Sequence, residues 1–281
     1  MINRDFFHAL IFKKPLGAFG GLIVLAMLLV AIFADVLAPF GFNETSVLEA
    51  LQAPSALHWF GTDELGRDVY SRVIYGARVS MYVGLATISI SVTIASALGI
   101  ISGYFGKSFD LALQRLVDAW MAFPGLVLII VIMSLLGPGM LNVILALGVR
   151  QAITESRVIR AATITVREQD YVEAIVAAGA PHWRVLAYHI LPNVMPPIII
   201  VASNSLGFII LIEAAVSFLG YGIPAPTPSW GGMLSQSGRM AMTQAPWLSI
   251  YPGLALSLAV FGFNMLGDAL RDLLDPRLRS E

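Results

Sequence analysis

The sequence predicts an all-α, polytopic membrane protein with six transmembrane helices, and three observations carry this prediction. Hydrophobic residues make up 57% of the 281 residues and charged residues only 12%, whereas about a quarter of the residues in soluble domains are charged. The mean hydropathy is +0.79. The apolar residues also form six runs, most of them close to the roughly 20 residues that a spanning helix needs.

The composition excludes several classes of function. The formal net charge of −1 argues against a nucleic acid as partner, because nucleic-acid binding depends on basic surfaces. The chain has no cysteine, which excludes a disulfide framework, thiol catalysis and cysteine-ligated zinc. The 25 glycines fit a membrane protein, since glycine is commoner in membrane helices than in soluble ones.

The first apolar run, residues 16–38, has Asp35 as its only charge. Lys13 and Lys14 precede it as in a signal peptide, but the run is too long for one and has a poor cleavage site, so we predict a retained helix. The other runs cover residues 81–105, 111–136, 140–149, 194–219 and 248–266. The fourth is the weakest, because charged residues come directly after it. Arg150 and Glu155 are either functional charges inside the membrane or side chains that reach the aqueous interface from a helix end.

Six spans place both termini on one side, and the distribution of Lys and Arg decides which side that is. With the termini inside, 13 of the 17 basic residues are cytoplasmic, and four are external: Arg67, Arg72, Arg78 and Arg239. We therefore predict a multi-pass protein of the inner (cytoplasmic) membrane with both termini in the cytoplasm. Its predicted regions are a tail and first helix (1–40), an external segment (41–80), a helical core (81–270) and a cytoplasmic tail (271–281).

One stretch, YVEAIVAAGAPHWRVLAYHILPN (residues 171–193), departs from the apolar pattern. Its first half has apolar and small residues at the spacing of one helix face: Val172, Ile175, Val176 and Gly179. Its second half repeats the spacing at Trp183, Leu186, Ala187 and Ile190. Gly179 can adopt the left-handed conformation that ends a helix, Pro181 suits the first turn of the next helix, and Pro192 stops or kinks the chain after it. The pattern predicts a helix–bend–helix hairpin between two spans, with apolar stripes suited to a protein groove.

Simpler interpretations of this hairpin remain open. Asp170 and Glu173 fit a capping box, and the hairpin fits a purely structural re-entrant element. His182 and His189 lie seven residues apart, but two histidines without a third ligand make a poor metal site. We expect no metal there.

The hairpin resembles the cytoplasmic loop of permease subunits of ABC importers. That loop carries Glu-Ala-Ala, three residues, Gly, about nine residues and Ile-x-Leu-Pro. Here it reads Glu173-Ala174-Ile175, Gly179 and His189-Ile190-Leu191-Pro192. Ile175 replaces the second Ala, and the histidine resembles the peptide and nickel branch. Three further stretches resemble that branch: residues 60–80 (FGTDELGRDVYSRVIYGARVS), 217–234 (SFLGYGIPAPTPSWGGML) and 263–278 (FNMLGDALRDLLDPRL).

The resemblance covers nearly the whole chain and is to the second permease subunit of dipeptide, oligopeptide or nickel importers. It implies a five-helix type I permease core preceded by an extra N-terminal helix. It also implies a coupling loop, residues 160–193, that sits in a groove of a cytoplasmic ATPase and uses Glu173, Ala174, Gly179, Ala180, Pro181, Trp183, Leu191 and Pro192. The implied partners are a homologous permease subunit, two ABC ATPases, an extracytoplasmic substrate-binding protein and membrane lipid. The direction of transport is implied by the resemblance alone.

We expect no enzymatic activity in this chain. GYFGKS (residues 103–108) is similar to a phosphate-binding loop, but the required first glycine is Ile101, and no strand precedes it. No catalytic Ser/His/Asp or paired-carboxylate arrangement stands out in the spans. ATP and magnesium are expected on the partner ATPases, and this chain is expected to bind no cofactor.

The external segment alternates in charge over residues 63–78, which predicts an amphipathic helix at the membrane surface or a docking surface for the binding protein. Residues 220–247, with four prolines and Trp230, predict a second contact, a gate or a stiffened loop. GxxxG spacing at residues 17–21 and 99–103 allows close helix approach.

The polar residues of the fifth span are our candidates for lining the translocation path: Ser203, Asn204, Ser205 and Glu213. A buried, hydrogen-bonded polar cluster accounts equally well for the first three. The rival classes are a channel or secondary transporter, which would favour inverted repeats, and a membrane-embedded enzyme, which would need clustered His or acidic residues. Neither explains the hairpin. Di- and oligopeptides are the expected cargo, and nickel or another small solute is the alternative.

Overall fold

A computed structural model describes residues 4–235 and 244–274, and most of these residues are helical. The twelve α-helices of the described part are α1 (Arg4–Lys13), α2 (Pro15–Ile32), α3 (Ala34–Leu37), α4 (Val69–Phe105), α5 (Lys107–Met121), α6 (Gly125–Leu136), α7 (Met140–Arg167), α8 (Asp170–Ala177), α9 (His182–Val185), α10 (Leu191–Phe218), α11 (Trp230–Met233) and α12 (Trp247–Leu274). A 3₁₀ turn, Val47–Glu49, precedes α4, and a π-helical segment, Leu186–Ile190, joins α9 to α10. The predicted all-α class is confirmed.

Four helical segments of the described chain are long and apolar enough to cross a membrane. They are α2, α4, α12 and the continuous segment His182–Phe218, and α5 and α6 form one further span if they are counted together. The axes of α5 and α6 meet at an angle of 88° around residues 122–124. The remaining predicted span lies in α7, which has 28 residues but carries charges along its second half. Its membrane crossing stays a prediction.

Two helices extend beyond the apolar runs that predicted their spans. The fourth run ends at Val149, but α7 continues to Arg167. It can continue because α7 packs closely against α4: a Cβ on Gly99 would lie 2.7 Å from the Ser156 carbonyl oxygen, and one on Gly103 would lie 2.9 Å from the Arg160 carbonyl oxygen. The helix that contains the second run, α4, begins at Val69 and not at residue 81.

The amphipathic surface helix predicted within residues 41–80 is also absent from the structure. Residues 50–68 are irregular, and residues 69–80 are the first three turns of α4. The Asp63 carboxylate accepts hydrogen bonds from the backbone N–H groups of Leu65 and Arg67, which holds a turn. The Asp68 carboxylate then caps α4 by accepting from the Ser71 N–H at 2.7 Å. Local side-chain bonds of this kind favour turns and helix starts over a continuous helix.

Both GxxxG stretches mediate contacts within this chain. Gly99 and Gly103 bring α4 against α7, as described above. A Cβ on Gly17 would overlap the Ala269 Cβ on α12, whereas one on Gly21 would be 3.5 Å from a Leu266 methyl group. The N-terminal helix is therefore held against the core through α12.

The ends of the helices define two sides of the bundle. Helices α10 and α12 are antiparallel, because Gly207 packs near Asn264 and Gly267 packs near Ser203. The end of α12 thus lies on the same side as the hairpin that precedes α10. Lys14, before α2, donates to the Asp272 carboxylate at 2.5 Å. We call this the hairpin side.

Candidate functional site

The hairpin has the predicted helix–bend–helix form. Helix α8 ends in a turn in which the Gly179 N–H donates to the Val176 carbonyl and the Ala180 N–H donates to the Ile175 carbonyl. Gly179 has φ +82°, and a Cβ built on it would have no atom within 4 Å. Glycine is needed here for its backbone conformation and not for space. This confirms the predicted helix end.

The second helix of the hairpin continues into the fifth span, so Pro192 does not stop it. Pro192 has no N–H and cannot donate to the Tyr188 carbonyl. The π-helical segment Leu186–Ile190 lies directly before it, and the Leu191 N–H donates back to the Leu186 carbonyl. A π segment is a common adjustment where the α-helical hydrogen-bond pattern is interrupted. The second half of the hairpin and the fifth span thus form one continuous helical segment.

The inner face of the hairpin is anchored in the bundle. Val172, Val185 and Ile190 are almost fully buried, and they belong to one apolar cluster with Ile100 of α4 and Ile159 of α7. Helices α4 and α7, together with the start of α10, therefore hold the hairpin in place.

The outer face of the hairpin is exposed. Trp183 is 64% exposed and Tyr188 is 66% exposed, and the centroids of their rings are 6.3 Å apart. Of the coupling residues predicted from the sequence, Ala180 is half-buried and the others are exposed: Glu173, Ala174, Gly179, Pro181, Trp183, Leu191 and Pro192. The hairpin therefore presents an aromatic and apolar surface with an acidic residue, as a groove-binding helix does.

The capping-box interpretation of the hairpin residues does not fit the structure. The residue that caps α8 is Gln169, and no side chain bonds to the first turn, so Asp170 and Glu173 do not form a capping box. The His182 Nδ1 atom lies 2.7 Å from the Tyr104 hydroxyl, and its ring also contacts Phe105. Within the described residues, no three His, Asp or Glu side chains come together as metal ligands.

The four path candidates occupy three separate places. Ser205 is buried and donates to the Glu155 carboxylate. Ser203 and Asn204 pack against Gly267 of α12. Glu213, which is 1% exposed, accepts a hydrogen bond from Ser217 at 2.7 Å. Ser205 and Glu213 are both covered by this chain's own helices. For Ser205, which bonds to Glu155, the structure favours the alternative of a buried polar cluster.

Glu155 is the centre of a polar network that the sequence did not reveal. Its carboxylate accepts hydrogen bonds from Ser91 of α4 at 2.7 Å and from Ser205 of α10. The Gln151 amide, one turn earlier on α7, donates to it at 3.0 Å. The network cross-links three helices of the core. In the sequence only the polar residues of α7 indicated this network. The bonding partners of Glu155 on α10 and α4 are 50 and 64 residues away in the chain, too far for a local pattern to show.

The side opposite the hairpin carries the external segment. The Trp247 indole N–H on α12 donates to the Thr62 carbonyl. The Phe60 ring stacks on the Tyr251 ring, with 3.8 Å between the ring centroids. Trp230 is fully buried and donates to the Val73 carbonyl at 3.0 Å, so its ring offers no contact surface. A cleft of about 400 Å³ lies between residues 63–72 and 217–235. Residues 236–243, part of the predicted contact or gate, lie outside the described residues.

Comparison with known families identifies the chain's class. Residues 95–280 match the family described as "Binding-protein-dependent transport system inner membrane component". The chain belongs to this family. Residues 4–54 match a second family, the N-terminal transmembrane domain of oligopeptide transport permease C. The predicted extra N-terminal helix is therefore confirmed, and the resemblance seen in the sequence motifs is confirmed with it.

Several curated relatives match nearly the whole chain. The chain is 41% identical to the dipeptide transport system permease protein DppC of Alkalihalophilus pseudofirmus, over 95% of this chain and 88% of the relative. It is 38% identical to the oligopeptide transport system permease protein OppC of Bacillus subtilis, over 95% and 87% of the two chains. It is 36% identical to the glutathione transport system permease protein GsiD of Pectobacterium atrosepticum, over 99% and 92%.

The fold matches a solved ABC transporter. A chain of the inward-facing MetNI methionine ABC transporter aligns with a TM-score of 0.57 and 15% identity, over 73% of this chain and 96% of that chain. At this identity the likeness shows the fold alone. It confirms the predicted type I permease core.

Proposed function

We propose that this chain is the membrane permease subunit of an ATP-driven importer of di- and oligopeptides. It forms the translocation path with a homologous permease subunit in the inner membrane, with both termini in the cytoplasm. Two cytoplasmic ABC ATPases bind ATP and magnesium and supply the energy, and an extracytoplasmic binding protein delivers the cargo. The relatives named for dipeptides and oligopeptides support the proposed cargo. The chain itself binds no cofactor and catalyses no reaction.

The observation that carries the proposal is the two-faced hairpin. Its inner face is buried against α4, α7 and α10, and its outer face exposes Trp183 and Tyr188. A surface that is rigidly held and yet apolar on its outer side is suited to bind a partner protein. Because this surface faces the cytoplasm in our proposal, the partner is the ATPase.

The connections of the hairpin support its role as a lever. Helix α9, the π segment and α10 run without a break from His182 to Phe218. A displacement of the hairpin is therefore passed into a core span as a rigid-body movement. The hydrogen bond between His182 and Tyr104 also links the hairpin to the end of α4. ATPase closure can thus move two spans together.

One uptake experiment tests the function and the lever. The gene is deleted, and uptake of labelled di- and tripeptides and of labelled nickel is measured with the wild type, Glu173→Lys and Gly179→Arg restored. We expect peptide uptake to be lost on deletion and restored by the wild type only. Glu173→Lys reverses the charge of an exposed side chain, and Gly179→Arg places a side chain at φ +82°. Both should insert normally but transport at least about tenfold more slowly, which corresponds to about 1.4 kcal/mol of lost coupling.

The control is Leu25→Ala, which shortens an exposed side chain on α2, and we expect its uptake to equal the wild type. Loss of nickel uptake alone would contradict the proposed peptide cargo. Normal peptide uptake by both hairpin variants would contradict the lever.

A further inference from the structure

Arg150 lies well inside α7, the helix that contains the predicted fourth span. It comes ten positions after the first residue of α7 and 17 positions before the last. At 1.5 Å per residue it is about 15 Å from one end of the helix and about 25 Å from the other. The hydrocarbon core of a bilayer is about 30 Å thick. Arg150 is therefore far from both ends of α7, which favours a functional charge over a side chain that reaches the interface from a helix end.

The guanidinium group of Arg150 has unused donors. One N–H donates to the Gln151 side-chain oxygen at 3.2 Å, and a guanidinium carries five N–H groups. No carboxylate of the described residues lies within 4 Å of it. The nearby Glu155 carboxylate is instead occupied by Ser91, Ser205 and the Gln151 amide.

The Arg150 side chain lies next to residues on the outer surface of this chain. Its guanidinium lies 5.8 Å from the centre of the Phe208 ring on α10, and Phe208 is 42% exposed. A Cβ on Gly125, where α6 begins, would overlap the Arg150 Nη2 atom, so glycine leaves room for the guanidinium. Val149 beside it is also exposed. A charge that faces lipid inside a membrane is costly, so we expect this surface to face protein or water.

We propose that Arg150 lines the translocation path between this chain and its partner permease and binds carboxylate groups of passing peptides. This rests on the proposed peptide import. A guanidinium binds a carboxylate through two parallel N–H donors, and every peptide with a free C-terminus carries a carboxylate. Phe208 and Gln151 hold the side chain in position. Arg150 is thus a specificity-determining residue.

The test uses the complete transporter with its binding protein in proteoliposomes. Uptake is compared for tripeptides with a central Glu, Ala or Lys, each as the free acid and as the C-terminal amide. Each variant is compared with the wild type for the same peptide, so the preferences of the binding protein cancel. For Arg150→Glu we expect the Glu-to-Lys uptake ratio to fall by about tenfold or more, whereas Arg150→Lys should keep it.

A second variant does not alter the charge. Gly125→Ala should displace the guanidinium, which is the far end of a flexible side chain, and lower the same ratio. Arg115→Glu is the matched control: Arg115 is a largely exposed cation on α5, and reversing it should leave the ratios unchanged. A fall in the acid-to-amide ratio assigns the contact to the peptide C-terminus, and a fall only in the Glu-to-Lys ratio assigns it to acidic side chains.

Unchanged ratios in Arg150→Glu, with uptake either normal or uniformly reduced, would overturn the proposal, because Arg150 would then contact only the partner permease or lipid. The absence of peptide uptake by the wild type would contradict the proposed function itself, which is a distinct result.

Discussion

At the scale of single residues, Glu155 shows how an acidic side chain is kept inside a membrane protein. Its carboxylate is only 4% exposed, and hydroxyl and amide groups of three helices donate to it. A buried charge is tolerated only when such donors replace water. Arg150, on the same helix, keeps donors free, and this difference separates a structural polar group from one available to a ligand.

Replacing Glu155 should loosen the core. Glu155→Leu leaves the hydroxyl groups of Ser91 and Ser205 without their acceptor, and an unsatisfied buried group costs about 1–3 kcal/mol. We expect the purified complex to melt at a lower temperature in detergent. Ser91→Ala, which removes one donor and leaves the others, should cost less than Glu155→Leu. Equal stability of Glu155→Leu and wild type would show that the network does not hold the helices together.

Residue-scale features were predictable when they depend on local backbone geometry. Gly179 was predicted as a helix end because glycine favours the left-handed conformation, and its φ of +82° agrees. The role of Glu155 was not predictable, because its partners are distant in the sequence. For Arg150 the sequence left two interpretations open, because the apolar run stops at Val149 while α7 continues to Arg167. The roles of Glu155 and Arg150 depend on side-chain contacts between helices, which the periodicity of a sequence does not reveal.

At the scale of secondary-structure elements, the pairing of α4 and α7 organises the core. Gly99 and Gly103 allow the two backbones to approach, and the Ser91–Glu155 bond fastens them at mid-length. Small residues at such interfaces let helices pack in lipid, where no hydrophobic force drives them together. The hairpin is anchored on the same pair.

The two GxxxG stretches provide a matched comparison. In Gly99→Ala the new methyl group meets backbone atoms of α7 at 2.7–2.9 Å, which cannot move independently. In Gly21→Ala it meets only a Leu266 methyl group at 3.5 Å. Overpacking a rigid interface costs roughly 1–3 kcal/mol, so we expect Gly99→Ala to lower the melting temperature of the complex and Gly21→Ala to leave it nearly unchanged. A similar shift in both variants would contradict the close α4–α7 contact.

The existence of the helices was predictable from apolar runs, and their ends were not. The start of α4 at Val69 depends on the Asp68 cap and the turn at Asp63, whose alternating charges had indicated a surface helix. The continuity through Pro192 depends on a π segment, which has no sequence signature of its own. Tertiary packing and local capping outweigh hydropathy at these boundaries.

At the scale of the whole molecule, the proposed coupling requires the hairpin side to face the cytoplasm. The described parts of both ends of the chain lie on that side, as the ion pair between Lys14 and Asp272 shows. The excess of Lys and Arg then predicts the orientation. The opposite side carries the external segment and the cleft beside it, where the binding protein would deliver the cargo.

The chain has no cysteine, so a single introduced thiol reports one position. The most direct measurement is cross-linking of Trp183→Cys in membranes that contain the complete transporter, with Leu48→Cys, 97% exposed on the opposite side, as control. We expect Trp183→Cys to cross-link to an ATPase subunit and to be shielded from a membrane-impermeant maleimide added outside, while Leu48→Cys is labelled from outside and does not cross-link to the ATPase. Labelling of Trp183→Cys from outside, without cross-linking to the ATPase, would contradict both the orientation and the coupling role of the hairpin.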